Sequence, residues 1–167
     1  MNNYLDAIQP LIKRETTKGN PIKVDPEDED LLIYNWSESS RGYPANSIKG
    51  QYYYLHRAVM ERKLQYALNS MEFVDHINGD IRDARRSNLR LATDSNNKAN
   101  SKDRPRKSEF RGVYRDVRGR QKQYRACISV NGRQMSLGYF HTPEEAAEAR
   151  DRAAKKIFGE FARLNHE

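Results

Sequence analysis

VDHINGD (residues 74–80), followed by NLRLAT (88–93) and NKAN (97–100), lays out a strand, a loop, a second strand and a helix in succession. Val74 to His76 reads as a strand, and Asn78–Gly79 as a turn signal. Leu89–Arg90–Leu91–Ala92 reads as a second strand, and Thr93 or Asp94 caps a helix running to about Lys102. Asp75 and His76 are neighbours on a strand and therefore point to opposite sides. Asn97 and Asn100 are three apart and share one face of the helix. A tightly packed strand–loop–strand–helix brings Asp75 and Asn97 together. A carboxylate with an amide oxygen is a hard oxygen set suited to Mg²⁺ or Mn²⁺. A neighbouring histidine, neutral near pH 7, can take a proton from an attacking water. On spacing alone the alternative stays open, in which Asp75 and the asparagines only cap turns.

Outward from this stretch, the charge is uneven. The 167 residues carry 30 Lys and Arg against 23 Asp and Glu, a net +7. Residues 1–74 hold 9 basic and 10 acidic side chains, residues 75–109 hold 9 and 6, and residues 110–167 hold 12 and 7. Residues 110–140 alone have seven basic residues and one acid, Asp116. A basic patch of this kind is the electrostatic footprint of a nucleic-acid partner; a soluble surface or an acidic-lipid patch is the alternative. Mean hydropathy is −1.02 and no apolar run approaches the ~20 residues of a spanning helix, so no membrane partner is expected. No secretory leader is expected at MNNYLDAIQP, and the single cysteine, Cys127, rules out an internal disulfide and any CxxC zinc site. A cytoplasmic location, in a bacterium or a phage-infected host, is the expectation.

The flanks divide the chain. Residues 1–53 form an N-terminal, β-rich supporting region. Within it, Asp25–Pro26 opens a short helix whose carboxylates complement its dipole, and metal binding there is the less favoured reading. Tyr34 to Tyr54 reads as two or three short strands with Trp36 and Tyr52–Tyr54 as wall residues. Residues 54–102 hold the stretch above and an earlier helix from Leu55 to Arg62. Residues 103–109 are a polar linker containing Pro105. Residues 110–167 read as three strands (110–117, 123–131, 133–140) with an Asn131–Gly132 hairpin. A helix follows, capped by Thr142 with Pro143 at its first position and stopped by Gly159. Alternation places Tyr124, Ala126, Ile128, Val130, Met135, Leu137 and Tyr139 toward that helix. Arg125, Cys127, Ser129, Gln134 and Ser136 fall outward, with Cys127 as a small surface residue. The fold class is α+β.

YLHR (54–57), VDHINGD (74–80), RRSNLRLAT (85–93) and NKAN (97–100) resemble the HNH endonuclease family, in particular its phage and intron-encoded homing type. The resemblance implies a ββα-metal module. It implies His76 as general base, Asp75 and Asn97 as ligands of one Mg²⁺ or Mn²⁺, and Asn88 as the residue that fixes the loop and the histidine. The third family position, often His, is Asn97 here. The family's Asp-Asn-Arg loop is Asp83–Ala84–Arg85, which removes a bracing residue, and no zinc is expected. Arg85, Arg86 and Arg90 flank the site as phosphate contacts or as solvated loop charges. His56 and Asn100 are structural or accessory.

RGVY (111–114), LGYFHTPEEAAEARDRAA (137–154) and GEFARLN (159–165) resemble the plant Apetala/ethylene-response-factor DNA-binding domain. This implies a sheet that enters the major groove, with Arg111 at a base-contacting position. Departures are Tyr114 for an arginine, and Gln134 and Ser136 for the arginine and tryptophan of the third strand. Arg115, Arg118, Arg120, Lys122, Arg125 and Gln134 are the further contact candidates. The combination implies a monomeric, metal-dependent endonuclease acting on double-stranded DNA, of homing or phage type, leaving 5′-phosphate and 3′-hydroxyl ends. A non-catalytic DNA-binding regulator with a decayed nuclease module is the alternative, and an RNA-binding or structural phage protein a third.

Overall fold

A computed structural model describes residues 13–48, 50–101, 109–117 and 123–166. The chain is α+β. A 3₁₀ turn (Pro26–Ile33) leads into β1 (Ser37–Glu38), β2 (Pro44–Ile48), β3 (Gln51–Tyr54) and helix α1 (Leu55–Leu64). Then come β4 (Phe73–His76), a 3₁₀ turn (Arg86–Asn88), β5 (Leu89–Ala92) and α2 (Asp94–Asn100). The last part holds β6 (Val113–Arg115), β7 (Tyr124–Val130), β8 (Arg133–Phe140) and α3 (Pro143–Phe158), closed by a 3₁₀ turn at Gly159–Phe161. β1-β2-β3 and β6-β7-β8 are antiparallel three-stranded sheets, and β4-β5 is a two-stranded one. No helix among the described residues is long and apolar enough to cross a membrane.

The chain forms two compact units, residues 1–70 with 76–91, and residues 71–75 with 92–167. The boundary expected at 103–109 falls on residues of which 103–108 lie outside the described ones. The two units meet along the chain at Ser70–Met71, at Asp75–His76 within β4 and at Leu91–Ala92.

In the first unit, Leu31, Leu32, Trp36, Ala45, Leu55, Val59, Met60 and Leu89 are buried. Leu55, Val59 and Met60 are spaced as one face of α1, which explains its sequence signal. Trp36 donates its indole N–H to the Leu31 carbonyl at 2.8 Å. Two expectations are corrected. The short helix expected after Asp25–Pro26 forms, as a 3₁₀ helix over Pro26–Ile33, but its carboxylates are not a solvated face: Asp25 accepts the Arg86 backbone N–H at 2.7 Å, and Asp28 is wholly buried against Arg86. Tyr52 and Tyr53 are exposed rather than wall residues.

In the second unit, Val113, Ala126, Ala146 and Ala147 form one buried cluster, joined by Phe110, Tyr124, Leu137 and Phe140. Ala99, Ile128, Ala154 and Phe158 form another, so α2 packs on the same body as the sheet and α3. Thr142 caps α3 by accepting the Glu145 N–H at 3.2 Å. Gly112 has φ +73°, and a Cβ there would lie 2.4 Å from the Cys127 carbonyl oxygen. Only glycine permits that approach, and it lets Cys127 N–H reach the Gly112 carbonyl at 2.7 Å.

The strand faces need correction. Ala126 pairs with Gly138 but Cys127 pairs with Ser136, leaving Leu137 as an extra residue on β8. Such a bulge reverses the alternation. Tyr139 therefore faces outward beside its partner Arg125, and Phe140 takes the inner place. Met135 is exposed rather than core, and Cys127 is buried rather than at the surface.

Candidate functional site

In the first unit, His76 ends β4 and is buried. The loop after it is tied by its own polar side chains. Asn78 Oδ1 accepts the Asp80 N–H at 2.8 Å, and Gly79 turns with φ +66°. Asn88 spans this loop. Its Oδ1 accepts the Asn78 N–H at 3.0 Å, its Nδ2 donates to the Asp83 carbonyl at 2.7 Å, and its own carbonyl accepts the Ile77 N–H at 2.9 Å. Asn88 thus fixes the path that carries the chain away from His76. Asp83, wholly buried, accepts Nε and Nη2 of Arg85 at 2.8 and 2.6 Å and Asn78 Nδ2 at 3.0 Å. The Arg85 fork holds the Asp83 carboxyl below its ordinary range.

The loop has a second brace that the sequence did not disclose. Lys23 N–H donates to the Arg82 carbonyl at 2.9 Å, and Ala84 N–H to the Lys23 carbonyl at 2.8 Å. Backbone from the N-terminal region therefore supports the loop where Ala84 supplies no polar side chain.

His76 lies among aromatic rings. Its centroid is 5.1 Å from that of His56, nearly perpendicular, and 6.0 Å from that of Tyr43. Tyr43 and Tyr54 lie 5.1 and 5.7 Å from His56. The buried His56 Nδ1 has no hydrogen bond among the described residues. Its pKa is pushed down to about 3, chiefly by burial, then by His76 and by Arg57. Tyr43 belongs to this box only through folding; on its own in the sequence it carries no such mark.

In the second unit, Asp75 and Asn100 are both buried. Asn100 Nδ2 donates to both carboxylate oxygens of Asp75 at 3.0 Å. Asn97 stands one turn earlier on α2, half-buried, on the same helix face. A buried carboxylate whose orientation an amide fixes is a ligand of the kind a hard divalent cation takes, and an amide oxygen such as that of Asn97 is another.

Three carboxylates elsewhere, Asp25, Glu27 and Asp28, also cluster within 4.8 Å. Arg86 fills that cluster, at 2.9 Å from Glu27 and 2.7 Å from Asp28, and Arg62 reaches Asp28 at 3.7 Å. It is an ion-pair knot.

The arginines are therefore not placed as expected. Arg85 and Arg86 present their forks to Asp83 and Asp28 rather than outward as phosphate contacts. Arg90 is half-buried on β5. Arg111, expected at a base, donates instead to the Ala99 and Ser101 carbonyls, the latter at 2.6 Å. Arg118, Arg120 and Lys122 lie outside the described residues. On the outer face of the second sheet, Tyr114, Arg125 and Tyr139 form one cross-strand row. The Arg125 guanidinium lies 5.8 Å from the Tyr114 ring centre, and Gln134 Nε2 reaches the Tyr114 hydroxyl at 3.5 Å. Arg115 is exposed, but it pairs with Tyr124 and so lies on the face opposite Tyr114 and Arg125.

Residues 53–99, which include His56, Asp75, His76, Asn88 and Asn97, match the HNH endonuclease family. An uncharacterised HNH endonuclease of Acanthamoeba polyphaga mimivirus is 30% identical over 132 residues, covering 79% of this chain and 67% of that protein. No solved structure matches. The chain belongs to the HNH endonuclease family and is a nuclease, a hydrolase of phosphodiester bonds.

Proposed function

We propose that this nuclease is a Mg²⁺- or Mn²⁺-dependent endonuclease of double-stranded DNA, working as a monomer, with His76 as general base. The observation that carries the reading is the Asp75–Asn100 pair, a buried carboxylate held by an amide, on the residue bonded to the buried His76. Asp75 and Asn97 would hold the cation, which supplies charge stabilisation at the phosphate and the leaving oxygen. The rest falls to this chain's side chains. His76, in its aromatic surroundings, takes the proton of a water as the water oxygen bonds to phosphorus and the bond to the 3′ oxygen breaks. The products are a 5′-phosphate and a 3′-hydroxyl. Asn88 keeps the loop beyond His76 in place.

Affinity and site choice would come from the second sheet. Its outer face carries Arg125 between two tyrosines, with Gln134 beside them, and Arg115 lies at the edge strand as a further cationic candidate. A sheet of this kind can enter the major groove, where arginine and glutamine read base edges. The resemblance to the Apetala/ethylene-response-factor domain supports this, as does the positive charge of residues 110–140. A homing or phage-type role follows from the pairing of a nuclease module with such a domain.

The test is incubation of the full chain with supercoiled plasmid and with a library of randomised duplexes, in Mg²⁺, in Mn²⁺ and in EDTA. Metal-dependent nicking or linearisation is expected. Binding of duplex without cleavage in either metal would overturn the nuclease assignment for this chain in favour of a regulator.

A further inference from the structure

We infer that Arg111 is a positioning residue for the helix that carries the candidate metal ligand, coupling the DNA-reading domain to the cutting site. The inference rests on the nuclease reading above and gives Arg111 a role different from the base contact its motif suggested.

A chain of contacts runs through the second unit. Asp151 of α3 is buried and accepts the Asn165 N–H at 2.7 Å, the Asn165 side-chain amide at 3.0 Å and the His166 N–H at 3.1 Å. The C-terminal segment is thereby folded back onto α3. Asn165 in turn holds the backbone of Arg111 at both ends: its Oδ1 accepts the Arg111 N–H at 2.6 Å, and its Nδ2 donates to the Arg111 carbonyl at 3.2 Å. With its backbone fixed to α3, Arg111 extends its guanidinium to the end of α2. There it donates to the carbonyls of Ala99 and Ser101 and to the Ser101 hydroxyl.

These acceptors bracket Asn100, whose amide holds Asp75. The last carbonyls of a helix have no partner within it and carry its negative dipole end, so a guanidinium there is both a hydrogen-bond cap and a charge complement. α2 has only seven residues, too few to hold itself in register without tertiary contacts. Contacts of two kinds secure it: along its body, Ala99 in the cluster with Ile128, Ala154 and Phe158 and the Ser95 hydroxyl accepting the Asn131 N–H at 3.1 Å, and at its end, Arg111. The first fixes where α2 lies. The second fixes the rotation and pitch of its last turn, and with it Asn97 and Asn100. A domain that grips DNA thus sets the attitude of the helix that would hold the metal.

The test compares Arg111→Ala and Arg111→Lys with wild type, using a duplex selected from a randomised library by the wild-type chain in EDTA. Three readouts are needed: affinity in EDTA, single-turnover cleavage at saturating protein across Mn²⁺ concentrations, and hydrogen exchange of residues 94–101 without metal. For Arg111→Ala, affinity should stay within threefold of wild type. The cleavage rate should fall at least tenfold, half-saturating Mn²⁺ should rise at least fivefold, and the α2 amides should exchange at least tenfold faster while α3 is unchanged. Arg111→Lys, which keeps a cationic donor, should recover part of each loss. An affinity loss of tenfold or more with cleavage at saturation unchanged would make Arg111 a DNA contact and overturn the inference, as would unchanged α2 exchange. If Arg111→Ala does not fold, Arg111→Lys is judged by the same criteria. Failure of wild type to cleave in any metal would count against the nuclease reading, and α2 exchange with affinity would still decide the role of Arg111.

Discussion

The side-chain amide of Asn100 donates to both carboxylate oxygens of Asp75 at 3.0 Å, and both residues are buried. A buried carboxylate stripped of a donor meets a desolvation cost that the fold must absorb. Asn100→Ala should therefore destabilise the metal-free protein by about 1–3 kcal/mol, read from urea unfolding. Cleavage should fall at least tenfold, because Asp75 loses the group that aims it. Unaltered stability would show that the amide does not hold Asp75 in solution.

His56 gives a pH signature. Its folded pKa is pushed from 6.5 to about 3, chiefly by burial. Between those values the unfolded chain binds a proton that the folded one refuses, so this residue's contribution to stability is complete above pH 6.5 and declines as pH falls toward 3. The slope approaches ~1.4 kcal/mol per pH unit. Comparing wild type with His56→Leu between pH 6.5 and 5 isolates the effect from carboxylate titration. The variant should lose less stability over that interval, and equal slopes would place His56 in a wetter setting.

Arg86 pairs with Asp28 and Glu27, and its backbone N–H with Asp25. Arg86→Ala should lower Tm while leaving DNA affinity and its salt dependence unchanged. A phosphate contact would instead weaken binding and reduce the slope of log affinity against log salt by about one.

Arg125, set between Tyr114 and Tyr139 on the outer sheet face, should behave in the opposite way. Arg125→Ala should cost about 1–3 kcal/mol of binding to a selected duplex, measured in EDTA. Tm should move little, since the guanidinium lies over the exposed Tyr114 ring. Tyr114→Ala should show a smaller loss by freeing the arginine it stacks against. Unchanged affinity in both variants would remove this face from the DNA interface.

These contrasts mark what was legible in the sequence. The order β4, loop, β5, α2 was readable because period-two alternation, Asn78–Gly79 and the Thr93 cap are local signals, and Thr93 does cap α2 by accepting the Asn96 N–H at 3.1 Å. The Asn131–Gly132 hairpin and the Thr142 cap were readable for the same reason. The inner and outer faces of β8 were not, because one extra residue at Leu137 reverses every position beyond it and leaves no compositional trace. The roles of Arg85, Arg86 and Arg111 were also hidden. A cationic side chain looks the same in sequence whether it meets a phosphate or a carboxylate, and Asp28 lies 58 positions before Arg86. The Asp75 and His76 pair was visible as chemistry, while Tyr43, His56 and Asn100 acquired their places around it only through tertiary packing.

The most direct measurement is single-turnover cleavage of a selected duplex by His76→Ala in Mg²⁺ and Mn²⁺, beside wild type, with duplex affinity measured in EDTA. The base assigned to His76 requires cleavage to fall by at least a hundredfold with affinity retained within threefold. Cleavage at the wild-type rate by the variant would contradict the account.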